Sequence, residues 1–192
     1  MKNQFHLALS LIFILRTFSL VQAQSLTANN SLSNIRWYGE EITGNTHFGN
    51  LSFKEAQVDL KDGVITGGKF IVDMNSLTVE DLSGGSKARL EGHLKSKDFF
   101  SVENNPQATL EITQKAKVEG EIQTIYGELI IKGIKHPIDC TITFVDNKTA
   151  KARMTFDRSK YNVRFRSGSF FENLGDKLIL DDIELEVTLY FN

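Results

Sequence analysis

Histidine, cysteine and paired carboxylates are the side chains that would do acid–base or covalent chemistry, and here they are few and scattered. Beyond the N-terminal segment the histidines are His47, His93 and His136. No two stand at ligand spacing, and no His-Glu-x-x-His run, nucleophile elbow, phosphate loop or dinucleotide fingerprint occurs. His136 directly precedes Pro137 and reads as a loop residue. Asp73 and Asp98 make an acid pair only if the fold joins them, and Asp98 reads better as a turn former after a helix. Cys140 is the single thiol, so no intrachain disulfide or Cys-x-x-Cys metal site can form. It alternates with Ile138, Ile142 and Phe144, the setting of a small buried apolar residue. No nucleophile, base and orienting group come together, so the pattern argues against an enzyme and calls for no cofactor and no metal.

The charged residues point to binding instead. Lys87, Arg89, His93, Lys95 and Lys97 form one basic group. Of these, Lys87, Arg89, His93 and Lys95 are candidates to meet an anionic head group; a solvated helix face is the alternative. Arg158, Lys160, Arg164 and Arg166 form a second group, alternating with Tyr161, Val163 and Phe165. As a strand this second group offers either peripheral contact with a membrane surface or a partner for the last strand. The latter carries Asp182, Glu184 and Glu186 on its matching face, and residues 167–177 would close the hairpin. Formal net charge is only −2, with no basic field for nucleic acid.

The elements that must position these groups are mostly strands. Apolar residues alternate with polar ones at 182–191, 138–144, 57–61 and 109–113, the period of half-buried strands. Phe70, Val72 and Met74 share one strand face, and 120–131 is rich in Ile and Thr. Asp62-Gly63, Gly67-Gly68 and Asp146-Asn147 mark turns. Only 86–94 reads as helix, and Asn105-Pro106 returns the chain to extended geometry. About eight strands without alternating helices predict an all-β barrel or sandwich of one domain. Ahead of it, Lys2, an apolar run to Leu15 and the small-residue site Val21-Gln22-Ala23 predict a signal peptide over 1–23. The domain is then 24–192. The leader holds Lys2 and Arg16 and no acid, so its removal takes the net charge from −2 to −4.

Several strings together resemble one family. They are Leu94-Lys95-Ser96-Lys97-Asp98-Phe99-Phe100-Ser101-Val102 followed by Asn105-Pro106, the hairpin Ile42-Thr43-Gly44-Asn45-Thr46-His47-Phe48-Gly49, and the strand Gly67 to Leu77. Tyr126-Gly127-Glu128-Leu129 leading to Gly133 and Pro137, and Gly175-Asp176 before the last strand, complete the set. In order and spacing they resemble the YceI-like family from about Ile35 to Asn192. The resemblance implies a single antiparallel lipocalin-like barrel, exported to the periplasm or secreted, that holds an isoprenoid or fatty amphiphile in an internal cavity. Strand parity turns Phe70, Val72, Met74, Tyr126, Ile142, Phe144, Phe156 and Phe165 inward, and these are the cavity candidates. The residues alone leave two alternatives: a structural or interaction barrel with a filled core and no ligand, and, more distantly, an enzyme. No segment marks an oligomer contact.

Overall fold

The computed structural model describes residues 23–192, so the expected leader lies outside the described residues except for Ala23. Ten strands form in chain order: β1 (Ala23–Thr27), β2 (Asn34–Glu41), β3 (Thr46–Lys61), β4 (Val64–Asp73), β5 (Gln107–Ile112), β6 (Lys117–Glu119), β7 (Ile122–Ile131), β8 (Ile134–Phe144), β9 (Thr149–Asp157) and β10 (Ile179–Tyr190). Among the described residues a single α-helix, α1 (Gly84–Lys95), lies between β4 and β5. The predicted 86–94 helix is thus present and slightly longer at both ends.

Every strand pairing is antiparallel. The pairing order β3-β2-β10-β9-β8-β7-β5-β4 returns from β4 to β3, which closes an eight-stranded barrel; β1 and β6 pair outside that ring. Closure leaves no long open edge within the ring. Strand β3 can serve both as seam and as anchor because it is long. Residues 46–51 pair with β2, while β4 and β1 take up residues further along it. A register shift between Phe53 and Glu55 moves its inward set from Leu51 and Phe53 to Ala56 and Val58. Such a bulge bends the strand and keeps apolar side chains inside across the bend.

One end of the barrel carries α1 and the two longest connections, 74–106 and 158–178. The segment after β4 runs along the edge of β3 that β4 leaves unpaired. Thr78 N–H donates to Asn50 O and Glu80 N–H to Phe48 O, while the Trp37 indole donates to Thr78 O at 3.0 Å. Gly49 permits this approach, since a Cβ there would stand 1.8 Å from Thr78 O. Helix α1 then turns Leu90 and Leu94 toward the barrel and binds back through Glu91, which accepts from Val79 N–H at 2.9 Å.

The second connection corrects an expectation. Residues 159–165 are not a strand and do not pair with β10. Arg158–Tyr161 is a 3₁₀ turn capped by Asp157, and Asn162 follows in the left-handed region at φ 59°. The partners of β10 are β9 and β2. Of its acidic face only Glu186 meets a cation on β9: it lies opposite Arg153, with Arg153 Nη2 2.7 Å from Glu186 Oε1, while Asp182 and Glu184 lie opposite Asp157 and Thr155. Tyr161 and Val163 are buried as their parity suggested, through a turn in place of a pleat.

Arg158 explains why the turn forms. Its side chain is wholly buried, and all of its guanidinium nitrogens are engaged. Nε donates to Leu180 O, Nη1 to Val163 O and Phe165 O, and Nη2 to Ile179 O, each at 3.0–3.1 Å. Nη2 also stands 3.1 Å from Asp181 Oδ1, a charge contact that is not aligned as a hydrogen bond. Asp181 Oδ2 accepts from Ser167 Oγ at 2.8 Å and Ser169 Oγ at 2.7 Å. One side chain therefore ties residues 163–165 to the first residues of β10. Replacing Arg158 by Leu leaves Asp181 and four carbonyls without their partner, which should cost about 3–5 kcal/mol. Arg158→Lys should not restore it, because one ammonium cannot match the planar fork. The urea midpoint measured at unchanged slope reads this loss.

Candidate functional site

The inward faces of the ring enclose an apolar cavity of about 260 Å³. Trp37 and Leu51 on one side, Phe70 and Val72 on β4, Ile125 and Leu129 on β7, Ile142 on β8 and Met154 on β9 line it. Leu185, Val187 and Leu189 of β10 complete the wall. The α1 end supplies the cover, with Leu90, His93, Leu94, Phe99, Phe100 and Phe165. Most of its polar lining also comes from that end: Glu40, Glu41, His47, His93, Arg158 and Arg166.

Of the expected cavity residues, Phe70, Val72, Met74, Ile142, Phe156 and Phe165 line this space. Phe165 reaches it from the 158–178 connection and not from a strand. Tyr126 is a correction: it sits on the outer face of β7. There the buried set is Gln123, Ile125, Leu129 and Ile131, so the even positions point out. Both parities of β7 carry apolar residues, and Gly127 decides between them. A Cβ at Gly127, an inward position, would come 2.5 Å from Glu111 O, so only glycine fits there. Phe144 is inward by parity but stands at the opposite end, stacked on Phe191 with ring centres 6.0 Å apart, and is not part of the cavity wall.

The four head-group candidates separate. Lys87 pairs with Glu80 and Glu91 at 3.9 and 3.8 Å. Arg89 is exposed on α1 away from the cavity, and Lys95 Nζ donates to Asn75 O at 2.9 Å. His93 alone among them lines the cavity. Its ring packs edge-on against Phe99 and Phe165, with centres 5.0 and 4.4 Å apart. Its Nε2 is buried and has no hydrogen-bond partner. An orphaned ring nitrogen in an apolar wall is costly unless something meets it, so the position fits a hydrogen-bonding group of a guest.

The other chemical candidates take structural roles. Cys140 is buried on the cavity wall, and burial pushes its thiol up to about 12, far from a thiolate at neutral pH. His136 Nε2 lies 3.0 Å from Lys160 O, edge-on to Tyr161. Asp73 caps the turn at Met74–Ser76 by accepting from Asn75 N–H, and Asp98 lies in a separate surface groove, so the two form no pair. Among the described residues no three His, Cys, Asp or Glu side chains gather as a metal site.

One rim contact responds to pH. His47 Nδ1 lies 2.7 Å from Asp81 Oδ2, and Phe48 N–H donates to Asp81 Oδ1 at 3.0 Å. Partial burial alone would raise the carboxyl; the bonds from His47 and Phe48 outweigh it and hold Asp81 below its ordinary 3.8. A lowered carboxylate contributes stability above its unfolded value, and that contribution is lost as pH falls through the folded value. Wild-type protein should therefore lose stability below about pH 4 more steeply than Asp81→Asn. Thermal midpoints of both proteins from pH 6 to 2 read this difference, and parallel curves would contradict the assignment.

A closed antiparallel barrel around an apolar hollow, capped by a helix at one end, defines a lipocalin-like architecture. The chain belongs to the YceI-like family: the YceI-like domain matches residues 25–191. Solved structures share the fold at low identity. BcnA of Burkholderia cenocepacia matches with a TM-score of 0.64 and 18% identity, covering 84% of this chain and 98% of that one. A polyisoprenoid binding domain from Saccharophagus degradans, implicated in plant cell wall breakdown, matches at 0.56 and 11%, covering 87% and 97%. A Campylobacter jejuni YceI protein matches at 0.55 and 15%, covering 100% and 99%. No curated protein matches the chain.

Proposed function

We propose that this protein is an exported binding protein that holds a long-chain isoprenoid or similar amphiphilic lipid in the barrel, its chain inside and its polar head beside His93. One observation carries the reading. Val72, Leu110, Ala152, Met154, Ile183, Leu185 and Val187 all face the interior and are apolar, yet each is only half-buried because it borders the cavity. In a barrel filled by its own side chains these positions would be closed off, so the pattern favours a guest over a purely structural core. The fold shared with a polyisoprenoid binding domain supports the same class of guest. The leader-like start of the sequence supports export, and the lack of any complete catalytic constellation favours binding over turnover.

The energetics suit a hydrocarbon chain. At about 0.3 kcal/mol per non-hydrogen atom, a five-carbon unit contributes about 1.5 kcal/mol, close to tenfold in affinity. Affinity should therefore climb about tenfold per added unit until the cavity is full. Native mass spectrometry of protein purified without lipid exchange tests the proposal. It should show an added mass of a lipid on a polypeptide that begins near Gln24. Ala152→Phe, which puts a ring into the hollow, should keep the apo thermal midpoint within a few degrees and lose the added mass. A clean apo mass for wild type, with no binding of added prenols, would favour the filled structural barrel. An intact Met1 would count against export.

A further inference from the structure

Beside the cavity lies a second concavity, an open groove on the same end of the barrel, lined by Lys97, Lys132, Arg164, Arg166 and Phe171. Asp98 is the one acid in its wall. The groove and the cavity share Phe165 and Arg166, so the cationic surface runs directly into the rim of the hollow. None of Lys97, Arg164 and Arg166 takes part in an ion pair among the described residues. Lys132 Nζ donates only to carbonyls, Phe99 O and Asn162 O, which leaves its charge uncompensated. Acids of the same connection, Glu172 and Asp176, are exposed but do not line the groove.

Next to these cations stand two exposed aromatic rings. Phe170 and Phe171 are 40% and 50% exposed. The Arg164 guanidinium lies 4.9 Å over the Phe170 ring, and Arg166 lies 5.1 Å over Phe165. Ile42, also exposed, flanks the same end, where its N–H donates to Leu178 O. Apolar rings side by side with arginines are what an interface between acyl chains and phosphates accommodates: the rings enter the hydrocarbon boundary and the guanidinium groups stay at the phosphates.

We propose that residues 164–171, with Lys97 and Lys132, form a docking surface for an anionic phospholipid bilayer, which seats the barrel with its cavity rim against the membrane. This goes beyond lipid retention and is read separately from it. The earlier expectation of a basic strand facing a membrane is changed in its members: Arg158 is buried and Lys160 lies outside the groove, while Lys97 and Lys132 join from other connections.

The test is co-sedimentation of the natively expressed protein with vesicles of phosphatidylcholine alone and with one third phosphatidylglycerol. Each cation near such a surface strengthens binding about fivefold, so the anionic vesicles should bind at least tenfold better in low salt, with the preference collapsing at 0.5 M salt. Arg164→Glu should weaken binding to the anionic vesicles at least tenfold, and Phe170→Ser with Phe171→Ser should weaken it at both salt concentrations. These side chains are exposed, so thermal midpoints should stay put. Leu32→Ser with Val145→Ser, exposed residues at the far end of the barrel, should leave binding unchanged, and so should Ala152→Phe. Equal binding to both vesicle types, or equal loss in the far-end variant, overturns the proposal. Competition by millimolar inorganic phosphate at fixed ionic strength also overturns it, in favour of a site for a soluble anion.

Discussion

The arginine at position 158 is the constraint on which the covered end of this barrel depends. A guanidinium carries five N–H donors in a rigid fork. Here four hydrogen bonds go to backbone carbonyls and the Asp181 carboxylate stands beside Nη2 as the countercharge, with no water-facing direction left. A charge buried in this way is tolerated only when its nitrogens are hydrogen-bonded and a countercharge stands beside it. That demand fixes where residues 163–165 and 179–181 lie relative to one another, and so it fixes Phe165, which covers the cavity. Position 158 sits at the turn out of β9 while its partners belong to the start of β10 and the connection between, so a long irregular connection is held as firmly as a strand pair. The covered end of the molecule can then be built from loops without losing its shape.

The same economy appears on the other side of that end. Gly49 lets the segment after β4 lie against β3, and the Trp37 indole and Asp81 hold it there. Helix α1 follows from this placement, because its Glu91 is bound to Val79 N–H. The ring of strands supplies a hollow with apolar walls, and the two held connections supply a cover with a few polar atoms. Among those atoms the unpartnered Nε2 of His93 is distinctive, since it lies where an otherwise hydrocarbon lining ends. Hydrocarbon inside and a hydrogen-bonding atom beyond it match, in order, the two ends of the proposed amphiphile.

Much of the ring was legible in the sequence because half-buried antiparallel strands write their inward face as every second residue. Strand β10, β8 and the Phe70-Val72 face of β4 follow that rule, and the helix was visible from Leu90 and Leu94. Failures came where a different physics produced the same pattern. Between 158 and 166 a 3₁₀ turn and a left-handed Asn162 bury Tyr161 and Val163 and expose Lys160 and Arg164, which imitates a strand. The cue that could have separated them is Asp157 two residues before Ser159, whose N–H and hydroxyl it accepts, a local capping signature. Tyr126 was misplaced because β7 is apolar on both faces, and its parity follows from a close backbone approach at Gly127 that no single sequence displays. The family resemblance, carried by strings whose order persists even where parity misleads, gave the closed barrel that periodicity alone left open against a sandwich.

The proposed hydrocarbon guest would occupy the hollow, and the chain carries its own reporters for it. Beyond Met1 the only methionines are Met74 and Met154, and both line the cavity. Methyl-¹³C-methionine NMR therefore gives a spectrum in which every signal from the folded domain reports on that space. Titration with a prenol of several isoprene units should shift both methyl signals and saturate at one equivalent. Saturable binding that leaves both signals where they began would place the guest elsewhere and contradict the account.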